Sequence, residues 1–281
     1  MNVYDKLLKL QVIENAWEEW AAYRLSITQY LIDNIEDQRE LAIFGAGRCN
    51  DMDLKRLLMH FDHLVLVDLD KDSMQEALKK QGLENEPRIT LITADFVGIT
   101  PNDYRSFADT LVYTVRQRGL ETSMVELTQV AIRELDKLYR QAMEMPLVFK
   151  KYKNIAVIGI HSQLISMLDW IWQAILQTLG RQESSVRQKI MDMNTAFIQR
   201  FDTALLESAE GQIVMGYEIE RIGRPGAVQG AMQGAIDFKE RVDRGEIKLC
   251  DFSQMDWPFD QKQGIVYHMG IFAVERLESR D

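Results

Sequence analysis

Short apolar runs alternate along the chain with longer stretches whose apolar positions recur every three or four residues. Leu41–Phe44, Leu64–Asp68, Ile89–Thr93, Asn154–Ile160 and Gln212–Ile219 have strand length, are rich in Leu, Ile and Val, and end in polar or glycine-containing turns. Helices are predicted from a cap at Asn50 or Asp51 to about His60, from about Asp72 to Gln81 with Gly82 as C-cap, over Ser184–Glu207, and over about Ala227–Arg244. Strands alternating with helices in this way predict an α/β fold whose sheet is largely parallel.

Two segments stand outside that rhythm. Residues 5–35 contain neither Pro nor Gly, and Ile13, Trp17, Trp20, Arg24, Ile27 and Leu31 form one helical face. They predict an N-terminal helical cover over residues 1–38, ahead of a main domain at 39–281. Between the third and fourth strands the chain reads helical from about Asp103 to Met145, with Leu120, Met124, Leu127, Ala131, Leu135 and Leu138 on one stripe. A crossover needs only about a dozen residues, so a helical lid is expected at about 101–150, near the carboxyl ends of the strands. Further on, a core helix carries Leu164, Leu168, Ile171, Ile175 and Leu179. A short strand at Glu246–Cys250 and the connector Trp257-Pro258-Phe259 then lead to a long last strand, Gly264–Leu277.

Composition narrows the class. The 281 residues are 46% hydrophobic and 9% aromatic, enough for a sizeable core. A net charge of −10 disfavours a general nucleic-acid binder, whose phosphate contacts need a basic face. The N-terminus lacks the charged-then-apolar order of a secretory leader, and Cys49 and Cys250 are far apart, so a cytoplasmic protein is expected. No run is apolar enough to read as a membrane span. His60 and His63 lack a third ligand at suitable spacing, so no metal site is expected.

The candidate chemistry lies after the first two strands. Leu41-Ala42-Ile43-Phe44 enters Gly45-Ala46-Gly47, a turn that lets the backbone approach a ligand closely, and the next strand ends about twenty residues later on Asp68. A dinucleotide fingerprint would place a third glycine at Asn50, and no Gly-Lys-Ser/Thr follows for a phosphate cradle. The turn suits an adenosine-bearing ligand without phosphates better than NAD or ATP. His161, with Ser162 and Gln163 at the end of the fourth strand, is the candidate general base. Tyr23, Arg24 and Trp257 are candidates for shaping an acceptor pocket beside Ser162.

Gly45-Ala46-Gly47, Asp68 and Asp95-Phe96 together resemble the motifs of the class I S-adenosylmethionine-dependent methyltransferases. The resemblance spans about residues 40–100 and 154–277. It implies a Rossmann-like, doubly wound and mostly parallel seven-stranded sheet, whose antiparallel last strand enters between strands five and six. It implies S-adenosylmethionine as cofactor, held by Gly45, Ala46, Gly47, Asp51, Asp68, Leu69, Asp95 and Phe96. Asp68 would take the ribose hydroxyls and Asp95-Phe96 the adenine. Two departures stand out. Ile43 occupies a position usually acidic, for which Asp51 is the nearest replacement, and Cys49 occupies one commonly glycine. The implied activity is methyl transfer to a small-molecule acceptor. A non-catalytic nucleoside-binding or interaction module is the alternative, with an NAD-dependent oxidoreductase behind it. The apolar stripes also allow a homo-oligomer.

Overall fold

The computed structural model describes residues 2–10, 12–118, 123–223 and 228–277. In chain order the elements are α1 (Val3–Leu10), α2 (Ala16–Glu19), α3 (Ala21–Asn34), β1 (Leu41–Phe44), α4 (Leu54–Leu57), β2 (Leu64–Asp68), α5 (Lys71–Gln81), β3 (Ile89–Thr93) and α6 (Pro101–Arg118). There follow α7 (Met124–Glu144), β4 (Asn154–Ile158), α8 (Ser166–Leu179), α9 (Ser185–Ser208), β5 (Gln212–Arg221), α10 (Gln229–Asp243), β6 (Ile247–Asp260) and β7 (Ile265–Arg276). Leu120, the loop residues Arg224, Pro225 and Gly226, and the predicted helix start at Ala227 lie outside the described residues.

The strands form one sheet in the order β3-β2-β1-β4-β5-β7-β6. β1 to β5 are parallel, with Leu41 opposite both Leu64 and Asn154, while β7 runs antiparallel to β5 and β6. This is the Rossmann-like sheet of the class I methyltransferase fold, as the resemblance implied. The order places the ends of β1 and β4 side by side at the middle of the sheet, where such folds bind their ligands.

Strand alternation divides the core in two. Ala42, Phe44, Val65, Val67, Ile155, Val157 and Tyr217 face a layer built from α1 and α6 to α10. Leu41, Ile43, Leu64, Leu66, Ala156, Ile158 and Ile271 face α2 to α5. β1, β2, β4 and most of β5 are buried on both faces and read as continuous apolar runs, whereas β3, at the sheet edge, is only partly covered.

Four boundaries differ from the sequence reading. The N-terminal helix is three helices, with α1 on one face of the sheet and α2 and α3 on the other. The helix after β1 is a single turn capped by Asp53, whose carboxylate accepts from the Arg56 N–H at 3.0 Å. The preceding residues are held in the turn instead, since the Asp53 N–H donates to Thr28 Oγ1 at 2.9 Å and the Leu54 N–H to Gln81 Oε1 at 2.9 Å. β4 stops at Ile158 because Gly159 turns left-handed, at φ +66. β6 runs through Trp257 and Pro258 to Asp260, with its register shifted between Trp257 and Asp260. An edge strand accommodates a proline at such an irregularity.

The insertion forms part of the helical layer. Phe107, Ala108 and Leu111 on α6 and Leu127, Ala131, Leu135 and Ala142 on α7 are buried. Arg200 on α9 fixes the end of α7, donating to the Ala142 carbonyl at 2.7 Å and also to the Met145 carbonyl. Among the described residues, no helix is long and apolar enough to cross a membrane.

Candidate functional site

The turn after β1 is built by three left-handed residues, Gly45, Gly47 and Cys49, at φ +71, +46 and +44. Gly45 and Ala46 both donate their N–H groups to the Val67 carbonyl, at 2.8 and 3.3 Å, so the turn is pinned to the end of β2. The next side chain on β2 completes the attachment. Asp68 accepts from the Gly47 N–H through Oδ2 at 2.9 Å and from the Asp70 N–H through Oδ1 at 2.8 Å. Burial raises the Asp68 carboxyl above its ordinary value, and the Asp70 and Gly47 N–H groups oppose that shift. Each oxygen retains acceptor capacity beyond its backbone bond. Leu69, beside it, is 42% exposed.

Asp51 follows the turn. Burial pushes its carboxyl up to about 6, against its own backbone N–H and the Arg24 guanidinium. Arg24 is itself occupied: Nη1 donates to the Trp17 and Asn50 carbonyls at 2.7 and 2.9 Å, and the guanidinium lies 3.5 Å from the centre of the Trp17 ring. It ties α3 to the loop that carries Asp51.

Asp95 and Phe96 lie beyond β3. One Asp95 oxygen accepts from the Val97 and Gly98 N–H groups, both at 2.8 Å, and so shapes its own loop. Phe96 is buried in the α9 layer, with ring centres 5.7 Å from Phe44 and 5.2 Å from Phe201.

The residues around the end of β4 divide between the two faces. His161 is fully buried on the α10 side, its Nε2 2.8 Å from Asp202 Oδ1. α10 closes over it so tightly that a Cβ on Gly234 would stand 3.0 Å from the imidazole. Ser162 turns the other way and donates its hydroxyl to Glu218 Oε1 at 2.7 Å. Tyr23 and Trp257 are on that second face, stacked with ring centres 5.4 Å apart and planes 12° apart. Trp257 lies against Gly159, where a Cβ would come within 3.1 Å of its ring and 3.8 Å of Glu218 Oε1.

The structure therefore gathers Gly45, Ala46, Gly47 and Asp68 into one group and Tyr23, Ser162 and Trp257 into another, with Ile160 reaching from the β4 end onto Gly45. Phe96 and His161 pack on the opposite face of the sheet from Tyr23 and Trp257. Glu218, 2% exposed and raised above the ordinary carboxyl value by burial, was missed by the sequence reading. Its signal is there: one acid within the apolar run Ile213-Val214-Met215-Gly216-Tyr217-Glu218-Ile219.

The chain matches no family model and, in sequence, no curated protein. Solved structures do align with it. Magnesium protoporphyrin IX methyltransferase from Synechocystis PCC 6803, with bound SAH, aligns at 11% identity over 99% of this chain and 89% of that chain, with a TM-score of 0.46. A SAM-dependent methyltransferase from Aquifex aeolicus aligns at 8% identity over 96% of this chain and 97% of that one, with a TM-score of 0.45. The B. subtilis tRNA methyltransferase TrmK aligns at 12% identity over 89% of this chain and 65% of that one, with a TM-score of 0.40. The fold assignment rests on the strand order.

Proposed function

We propose that this chain is an S-adenosylmethionine-dependent methyltransferase acting on a small-molecule acceptor. The observation that carries the reading is Asp68 at the carboxyl end of β2, holding the Gly47 N–H in the turn after β1. A half-buried carboxylate whose two oxygens each keep acceptor capacity suits the paired hydroxyls of a ribose. The turn beside it lacks the third glycine of a dinucleotide fold and the lysine of a phosphate cradle.

In this reading Gly45, Ala46 and Gly47 give the ligand a close backbone surface, Asp68 holds its ribose, and Leu69 and Asp95 flank the nucleoside. Bound S-adenosylmethionine supplies a methyl group already activated by its sulfonium, so the protein has chiefly to orient an acceptor and exclude water. The buried aromatic group around Trp257 suits that exclusion. The net charge of −10 favours a small acceptor over a polyanion.

Calorimetric titration with S-adenosylhomocysteine, with NAD as control, tests the proposal. Micromolar-range binding of the first alone is the expected result. Binding of NAD alone would point to an oxidoreductase, and binding of neither by folded protein would overturn the nucleoside pocket. Ile43 in place of an acid favours a second reading, a module that binds the nucleoside without catalysis. Binding of S-adenosylhomocysteine with no methyl transfer to any hydroxyl, amine or thiol acceptor would select it.

A further inference from the structure

On the α3 face of the sheet, three buried side chains each keep a polar atom without a hydrogen-bond partner: Tyr23 Oη, Trp257 Nε1 and Glu218 Oε2. The three residues are 3%, 5% and 2% exposed. Tyr23 stacks on Trp257, and Trp257 shares the Gly159 gap with Glu218. Ser162 occupies Glu218 Oε1 and leaves Oε2 as the oxygen without a donor. Leaving such a group unsatisfied is costly, so three together mark a place where a ligand supplies the missing bonds.

The bonding capacities of the three atoms define that ligand. An indole N–H can only donate. Burial, with the negative charges of Asp51 and Glu218, holds the Tyr23 hydroxyl protonated, so it too offers a donor. An ionised Glu218 oxygen only accepts. One donor and two acceptors make the complement, which is the inventory of a hydroxyl group. An ammonium would leave Trp257 without an acceptor, and a carboxylate or phosphate would bring negative charge against Glu218. The surroundings are flat and apolar: Trp20, Phe259 and Tyr267 stand 4.9, 5.0 and 6.1 Å from Trp257, centre to centre.

We propose that this cluster binds the hydroxyl of an aromatic alcohol or phenol as methyl acceptor, and that Glu218 takes its proton. The inference rests on the methyl-transfer reading for its chemistry. The hydroxyl proton passes to Glu218 Oε2, and an oxygen electron pair forms the new O–CH3 bond. The C–S bond of a methylsulfonium donor breaks with its pair returning to sulfur. Carboxylate and sulfonium charges are both removed, a change that a water-poor site favours. Ser162 is a positioning residue, fixing the carboxylate through its other oxygen.

The test is titration with phenol and with anisole, its methyl ether, each with and without S-adenosylhomocysteine. Phenol is expected to bind about tenfold more tightly than anisole, which has no proton for Glu218. Glu218→Gln should abolish that preference, retain S-adenosylhomocysteine affinity, and leave the thermal midpoint of the ligand-free protein unchanged or higher. Tyr23→Phe, which deletes only an unpartnered hydroxyl, should weaken phenol by about threefold to tenfold without lowering the midpoint. Equal binding of phenol and anisole, binding of neither, or a preference unchanged in Glu218→Gln would overturn the proposal. A lower midpoint in Glu218→Gln would do the same, by making the carboxylate a structural group. Wild-type protein that prefers phenol yet does not bind S-adenosylhomocysteine would overturn the methyl-transfer reading and leave the hydroxyl site standing.

Discussion

Ile160 fills the space over Gly45: a Cβ on that glycine would stand 2.6 Å from Ile160 Cδ1. The contact locks the turn after β1 to the end of β4, across the middle of the sheet. Gly45→Ala meets a left-handed backbone at φ +71, while its clash falls on the movable end of the Ile160 side chain, so a loss of about 1–2 kcal/mol is expected, mostly from the backbone. Chemical denaturation measures it. The double variant Gly45→Ala with Ile160→Ala should recover the steric part and keep the backbone part.

Asp68 joins the same turn to β2, and its loss acts on the ligand first. Asp68→Ala should weaken S-adenosylhomocysteine by about 1–3 kcal/mol, through the ribose bonds and the freed Gly47 N–H. Unchanged affinity in a folded variant, read by calorimetry, would remove Asp68 from the pocket.

Cys49 is the one non-glycine among the described residues with a left-handed backbone. It holds a glycine's conformation at a position where the resembled family commonly has glycine. Alanine is ordinarily more favourable than glycine because it loses less backbone entropy, by about 0.5–1 kcal/mol. Here the order should invert, with Cys49→Gly more stable than Cys49→Ala. Thermal midpoints of the two variants decide the point.

Asp51 makes stability depend on pH. Its folded carboxyl titrates at about 6, above the ordinary aspartate value of 3.8, with burial as the main cause. Between those values the folded state holds a proton that the unfolded state has released, so stability falls as pH rises from about 4 to 6. Below about 4 both states are protonated and the penalty is absent; above about 6 it is complete. Asp51→Asn should therefore gain stability over the wild type at pH 7 by about 1–3 kcal/mol, with the gain vanishing near pH 4. Denaturation curves at the two pH values test it. A gain that does not change with pH would place the effect elsewhere.

His161 supports the fold through Asp202. Replacing it with Ala removes the partner of Asp202 Oδ1, a side chain 1% exposed that also interacts with Asp237 on α10, and leaves a cavity, so a loss of about 1–3 kcal/mol is expected. S-adenosylhomocysteine affinity should stay nearly intact. A large loss of affinity with little change in stability would give the imidazole a place at the ligand.

Much of the frame was legible because β1, β2 and β4 are buried on both faces and announce themselves as continuous apolar runs. β1, β2 and β3 fall at the expected residues, and the antiparallel last strand enters between β5 and β6 as the family resemblance implied. What escaped the sequence depends on contacts between distant segments. Asn50, Asp51 and Asp53 can all cap a helix, and Asp53 does so because Thr28 and Gln81 hold the backbone around it. β6 lies at a sheet edge with mostly exposed residues over its first half, so no apolar run marks it, and Pro258 disguises its end. Glu218 and Trp257 are 39 positions apart and come to Gly159 from β5 and from the edge strand β6, a proximity that no local pattern encodes.

The Trp20 indole N–H donates to the Phe259 carbonyl at 3.1 Å, linking α2 and α3 to β6 over a sequence separation of 239 residues. On the ribosome the aromatic wall is therefore expected to stay unbuilt until Phe259 has emerged. The Gly45–Asp68 turn, local in sequence, can form far earlier. A chain that stops after β5 would thus present the glycine turn beside an open apolar face, with Trp20 and Tyr23 awaiting β6.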